Sequence, residues 1–150
     1  MGKTMKPSGA SIIALLLVSA AASASAEESP AASGWFCGTP VDVLDHRVSG
    51  RGVSVSSFSL SERDSVMSEL RTVQFSYSVD NRSGSRAFVG AELAGFDRDN
   101  KLILAMSAEP IIGMVSPRQA TDIQAEITVN RNVIQHISIL CLNVSGINAH

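Results

Sequence analysis

The sequence predicts an all-β sandwich of about seven short strands, and three observations carry that reading. Apolar residues recur at every second position in several stretches, as at Val73, Phe75, Tyr77 and Val79, which is the period of a strand with one buried face. Strand-like segments return about every ten residues with polar turns between them, and no long helices alternate with them, so an α/β fold is excluded. Cys37 and Cys141 stand near the two ends of the predicted domain, placed to close it with one bridge.

The first segment reads as a secretory signal peptide. Lys3 and Lys6 precede an apolar run from Ile12 to Val18, and Ala24-Ser25-Ala26 supplies the small residues of a cleavage site. Cleavage is expected after Ala26. The apolar run falls short of the roughly 20 residues that span a bilayer, so the mature chain is not expected to be membrane-spanning. Cys37 follows Ser33-Gly34-Trp35-Phe36 rather than a box of small residues, so no lipid anchor is expected. Residues 27–34 form a flexible leader and residues 35–150 the sandwich domain. In an exported protein the two cysteines pair, closing a loop of roughly a hundred residues and stabilising the fold by about 4 to 5 kcal/mol on the chain-entropy account. Trp35 and Phe36 are expected to pack over that bridge.

The formal charge of the chain is −2, and loss of Lys3 and Lys6 makes it more acidic. Lys101 is then the last lysine, with the arginines spread singly, which excludes the clustered basic surface a nucleic acid requires.

Each element follows in turn. Val53 and Val55, then Phe58 and Leu60, alternate with a change of phase that predicts a bulged strand. Ser61 with Asp64 three residues on, and Val66 one turn before Leu70, predict a short connecting helix over 61–71. Val73 to Val79 is the cleanest strand, and "NRSGS" after it a turn. A strand from Ala87 to Phe96 meets a second, "LILAMS", across Asp97 to Asn100, whose Asp and Asn residues suit the tip of a hairpin. Pro110 to Val115 reads as a short edge strand limited by its proline. "SPRQ" is a turn, "TDIQAEITV" alternates again, and "VIQHISILCLNV" closes the domain as a long β-branched strand.

Three of these stretches carry a family resemblance. "SYSVDNRSG" as strand and polar turn, "FVGAELAGFDRDNKLI" as paired strands about an Asp-containing turn, and "VSPRQATDIQAEI" as a proline turn before an alternating strand resemble the immunoglobulin-like FxLYD domains of bacterial extracytoplasmic proteins. "LAGFD" stands where that family has Leu-Tyr-Asp. The resemblance covers about half of the mature chain; it implies an immunoglobulin-like sandwich in an envelope or secreted accessory protein and no particular reaction.

Chemistry-bearing residues are few. Asp42 and His46 share a face if their segment is extended, and with His136 they make the best metal or hydrolytic combination, though a third ligand or a nucleophile is missing. His150 lies at the chain end. Asp97 and Asp99 match the first and third positions of a calcium loop, but Lys101 and Ala108 fall where the fifth and twelfth ligands belong. No Gly-x-Ser-x-Gly elbow occurs. "SGRG" at Ser49 to Gly52 and "NRSGS" are candidate anion loops that lack a following helix. Asn81-Arg82-Ser83 and Asn143-Val144-Ser145 have the glycosylation pattern.

The expected function is therefore that of a non-enzymatic, periplasmic or secreted module acting by contact with an envelope or secreted protein, without a cofactor. The alternatives are the metal-binding or hydrolytic protein built on Asp42, His46 and His136, and a binder of a small apolar ligand between the sheets. The uncharged segment 133–142 is expected to be an internal strand. A partner or a second copy would then add to a shorter edge, at Ile111, Ile112 and Val115 or in the segment after Cys37.

Overall fold

The computed structural model describes residues 34–65 and 69–147; the predicted signal peptide and nearly all of the leader, with Val66 and His150, lie outside them. Among the described residues eight strands form two antiparallel four-stranded sheets. The first sheet has the order β1 (Trp35–Gly38), β8 (Ile139–Ser145), β5 (Gly90–Phe96), β6 (Leu102–Ala108), and the second β2 (Val48–Gly50), β3 (Val53–Asp64), β4 (Leu70–Asn81), β7 (Gln119–Asn130). The pairings of β4 with β7 and of β5 with β8, in opposite sheets, are those of strands B with E and C with F in an immunoglobulin sandwich. The position beside β8 that the last immunoglobulin strand would occupy is filled by β1, the first strand here.

Strand alternation builds the core. β4 turns Val73, Phe75, Tyr77 and Val79 inward, all buried, to meet Val55 and Phe58 of β3 and Leu93, Leu104, Met106, Leu140 and Leu142 of the first sheet. The rings of Phe58, Phe75 and Tyr77 touch at centroid separations of 5.7 to 6.4 Å, distances at which tilted and offset pairs attract. The phase change in β3 is a bulge between Ser56 and Ser59, with Ser57 at φ 58. It keeps both Val55 and Phe58 inside.

Four expectations are corrected. The helix over 61–71 is absent from the described residues of that stretch: Ser61 to Asp64 end β3 and Leu70 and Arg71 begin β4, with Ser61 opposite Gln74 and Asp64 opposite Arg71. Pairing with β4 satisfies the backbone there, and ion pairs of Arg71 with Asp64 and of Arg63 with Glu126 (2.5 Å) hold the strands side by side. The segment after Cys37 is not an extended edge but a one-turn helix, α1 (Pro40–Leu44), with Thr39 as its cap and Pro40 in the first turn, where a missing N–H costs nothing. α1 carries the chain from one sheet to the other and buries Val43 completely.

The long last strand is shortened. Ile134–His136 form a 3₁₀ turn and β8 begins only at Ile139, because the Glu62 carboxylate accepts the N–H groups of Asn132 (2.8 Å) and Ile134 (3.4 Å) and pulls them out of extension. Ile137 is buried against Gly95, where a Cβ would meet its Cδ1 at 2.9 Å. β8 is internal as expected, between β1 and β5. Finally, Pro110 to Val115 is not an edge strand. Gly113 N–H donates to Pro110 C=O (2.7 Å) in a turn, and Val115 is buried with its N–H and C=O both bonded to Ala87.

Candidate contact surfaces

The disulfide is present, Cys37 lying directly opposite Cys141 in the β1–β8 pairing with an S–S length of 2.02 Å. It sits on the outer face of the first sheet rather than between the sheets, since the flanking Leu140 and Leu142 are the inward residues of β8. Trp35 shares that outer face, and with Ala94, Phe96, Leu102 and Ala105 it lines a shallow groove of about 450 Å³. Phe36 departs from expectation. It points the other way and stacks on the His46 ring at 4.0 Å, nearly parallel at 11°.

That contact, with α1, removes the geometry the metal reading needed. Asp42 accepts the Thr39 hydroxyl at 2.6 Å and its own N–H reaches Thr39 Oγ1 at 3.3 Å, so it belongs to the helix cap. His136 lies in the 3₁₀ turn and lines a cleft of about 800 Å³ with Asp97, Asp99, Arg98 and Arg131. Among the described residues no three His, Cys, Asp or Glu side chains are grouped to hold a metal ion. Asp97 is likewise committed, its Oδ1 accepting from the backbone N–H groups of Asp99 (2.9 Å) and Lys101 (3.0 Å). With Asn100 at φ 59 and Asp97 N–H bonded to Lys101 C=O, this is a hairpin turn closed by its own side chain, as the charge pattern predicted. Ser49 to Gly52 is also a hairpin turn, between β2 and β3, with Arg51 and Gly52 both left-handed.

At the same end as this turn, and opposite the Asp97 hairpin, two loops are knitted by one side chain that sequence reasoning missed. Asn81, completely buried at the end of β4, donates from Nδ2 to the carbonyls of Ser85 (2.9 Å), Val115 (3.1 Å) and Ser116 (3.0 Å). Its Oδ1 accepts from Ser83 N–H (3.1 Å) and Ser83 Oγ (2.6 Å). The loop 82–89 and the loop 109–118 are thereby held together, with the Ala87–Val115 bridge as a second tie. Asn81 is closed to glycosylation in the fold, whereas Asn143 is half-buried with its Nδ2 on Glu92.

Three large apolar side chains stand out from this knitted end. Phe88 is 64% exposed, Ile112 69%, and Ile111 fully. Their loops are tied at the roots. Gly146, at φ 82, lies so close to the Phe88 carbonyl that a Cβ would approach its oxygen to 1.6 Å, and Tyr77 Oη donates to Ala108 C=O at 2.7 Å at the root of the second loop. Burial pushes the Tyr77 phenol well above its ordinary pKa, the Glu109 carboxylate adding to the shift. Of the residues expected at a partner edge, Ile111 and Ile112 are thus presented to solvent at a loop tip, while Val115 is inside.

Comparison of the chain with protein-family models, with curated proteins and with solved structures finds no match. Among the described residues no helix is long and apolar enough to cross a membrane.

Proposed function

We propose that this protein is an exported, non-enzymatic β-sandwich module that acts in the cell envelope or outside the cell by protein–protein contact through the loop end bearing Phe88, Ile111 and Ile112. The observation that carries the reading is that these three side chains are exposed on loops whose backbones are pinned by Asn81, the Ala87–Val115 bridge and Gly146. A pre-organised apolar tip binds without paying to order its loops, and exposed apolar clusters mark contact sites. Loops at the ends of an immunoglobulin-type sandwich are where binding residues gather.

Export is supported by the disulfide and by the order of charge, apolar run and small residues over 1–26. The resemblance to FxLYD domains supports the same class of envelope or secreted accessory protein. The alternative built on Asp42, His46 and His136 loses support, because Asp42 is held in a helix cap and His46 is stacked on Phe36.

The test is a Phe88→Asp, Ile112→Asp double variant, exported from the same leader and cross-linked in intact cells. It should keep the wild-type melting temperature to within about 0.5 kcal/mol of stability, as surface changes do, and lose the wild-type cross-linked adduct. An adduct of unchanged yield would refute the assignment.

A further inference from the structure

A sandwich of two open sheets has four edges, and proteins guard such edges against unwanted pairing with charge, proline, bulges or brevity. Here β1 has four residues and is joined to its neighbour by the disulfide, and β2 has three. β7 is long but carries Asp122 and Glu126. β6 differs from them: its seven residues, "LILAMSA", include no charge and no proline, and its one irregularity is a bulge at Ile103 near its start. Among the described residues, apart from the bonds to β5, the polar partner found along β6 is Tyr77 Oη on the carbonyl of Ala108. Leu102, Ala105 and Ser107 are exposed on this strand, and Leu104, Met106 and Ala108 are buried.

We infer that β6 is a self-pairing edge, and that two copies of this chain join β6 to β6 in antiparallel fashion to make one continuous eight-stranded sheet. The occupant is a second copy because β6 is complementary to itself. Antiparallel pairing centred on Ala105 sets Leu104 opposite Met106, both core-facing, and Ala105 opposite itself on the outer face. The alternation is preserved across the seam from Leu104 to Met106, the bulge at Ile103 lying outside that stretch, and β6 brings no charge of its own to the pairing, whereas β7 paired with itself would set Asp122 against Glu126. The two-fold axis makes the contact closed, so pairing stops at the dimer. The apolar outer strip of Phe96, Leu102 and Ala105 runs up to the seam, extending the contact beyond the backbone bonds. This inference stands apart from the loop-end reading, whose residues lie off β6.

The experiment is sedimentation equilibrium of the oxidised mature protein at tens of micromolar, beside Ala105→Lys and Phe88→Asp, Ile112→Asp. Wild type and the loop variant should be dimers. Ala105→Lys should be a monomer, since it sets two ammonium groups facing each other across the axis, and its near-ultraviolet spectrum should match the wild type. Amide exchange adds a readout that folding alone does not move: protection of outward N–H groups in 102–107 should fall on dilution of the wild type and be missing in Ala105→Lys. A wild type that is monomeric throughout, or a folded Ala105→Lys that remains dimeric, would overturn the proposal, as would a dimer whose exchange protection in β6 does not change with concentration.

Discussion

The two ends of the sandwich are built by the same device and finished in opposite ways. At the lower end, Glu62 gathers the N–H groups of Asn132 and Ile134, and Asp97 closes the hairpin by accepting from Asp99 and Lys101. At the upper end, Asn81 gathers the carbonyls of Ser85, Val115 and Ser116. In each case one polar side chain fixes loops that have no sheet partner, which buried backbone groups require. The lower end then presents Asp97, Arg98, Asp99 and Arg131 to water, whereas the upper end presents Phe88, Ile111 and Ile112 among the exposed Arg82, Arg86 and Arg118. Charge at a loop tip is explained by solvation. Isoleucine and phenylalanine held out in water are what the proposed contact would bury.

The device itself can be broken first, with the largest effect at the upper end. Asn81→Ala should cost about 3 kcal/mol, because it removes a completely buried side chain that bonds both loops and takes the donor from the Ser116 carbonyl, although Ala87 N–H and Ser83 Oγ still reach the carbonyls of Val115 and Ser85. Chemical denaturation would measure it, and a loss under about 1 kcal/mol would show that the loops are held by other contacts. Glu62→Ala at the lower end should cost less, about 2 kcal/mol, since the carboxylate is partly solvated and water can replace it.

A smaller effect sharpens how the upper loop is rooted. The Tyr77 phenol is raised above its ordinary value of 10.0 by burial and then by Glu109, so on folding it resists ionisation that the unfolded chain undergoes freely. Its stabilisation is complete below pH 10 and is lost as pH climbs above that value. Melting temperature should therefore fall above that pH, and Tyr77→Phe should flatten the fall while removing about 1 kcal/mol at neutral pH through the lost bond to Ala108. Equal alkaline losses in both proteins would assign the effect to another group.

The smallest effect belongs to the charged tip. Asp97→Asn with Asp99→Asn should change stability by no more than about 0.5 kcal/mol, because asparagine retains the oxygen that accepts the two backbone N–H groups. A melting temperature that responds to calcium in the wild type would contradict the reading of this turn as self-closed.

How much of this was written in local sequence differs between the ends as well. The Asp97 hairpin was readable because its partners lie within four residues, and the β3 bulge and the inward face of β4 were readable from alternation alone. The 3₁₀ turn over Ile134–His136 was not, since the carboxylate that creates it is Glu62, about 70 positions away. The apparent helix at 61–71 failed for the same kind of reason: a local capping pattern lost to strand pairing with residues it could not see. α1 did carry a local signal, Thr39-Pro40 with Asp42, that an extended reading overlooked. Ile111 and Ile112 were picked out as apolar residues beside a proline, but Phe88 and Asn81 joined them only through the fold. A strand's place at the edge or the centre of its sheet is a property of its neighbours. That is why β6 was read as half of a hairpin and the open edge was sought at Val115.

The most direct test of the contact end is a photo-activated cross-linking amino acid placed singly at Ile112, at Asp99 and at Gln74 on the outer face of β4, in protein exported by the living cell. Ile112 should give a discrete adduct, and Asp99 and Gln74 should give none above background. Adducts of equal yield at all three positions, or at Asp99 alone, would contradict the assignment of the upper end as the binding surface.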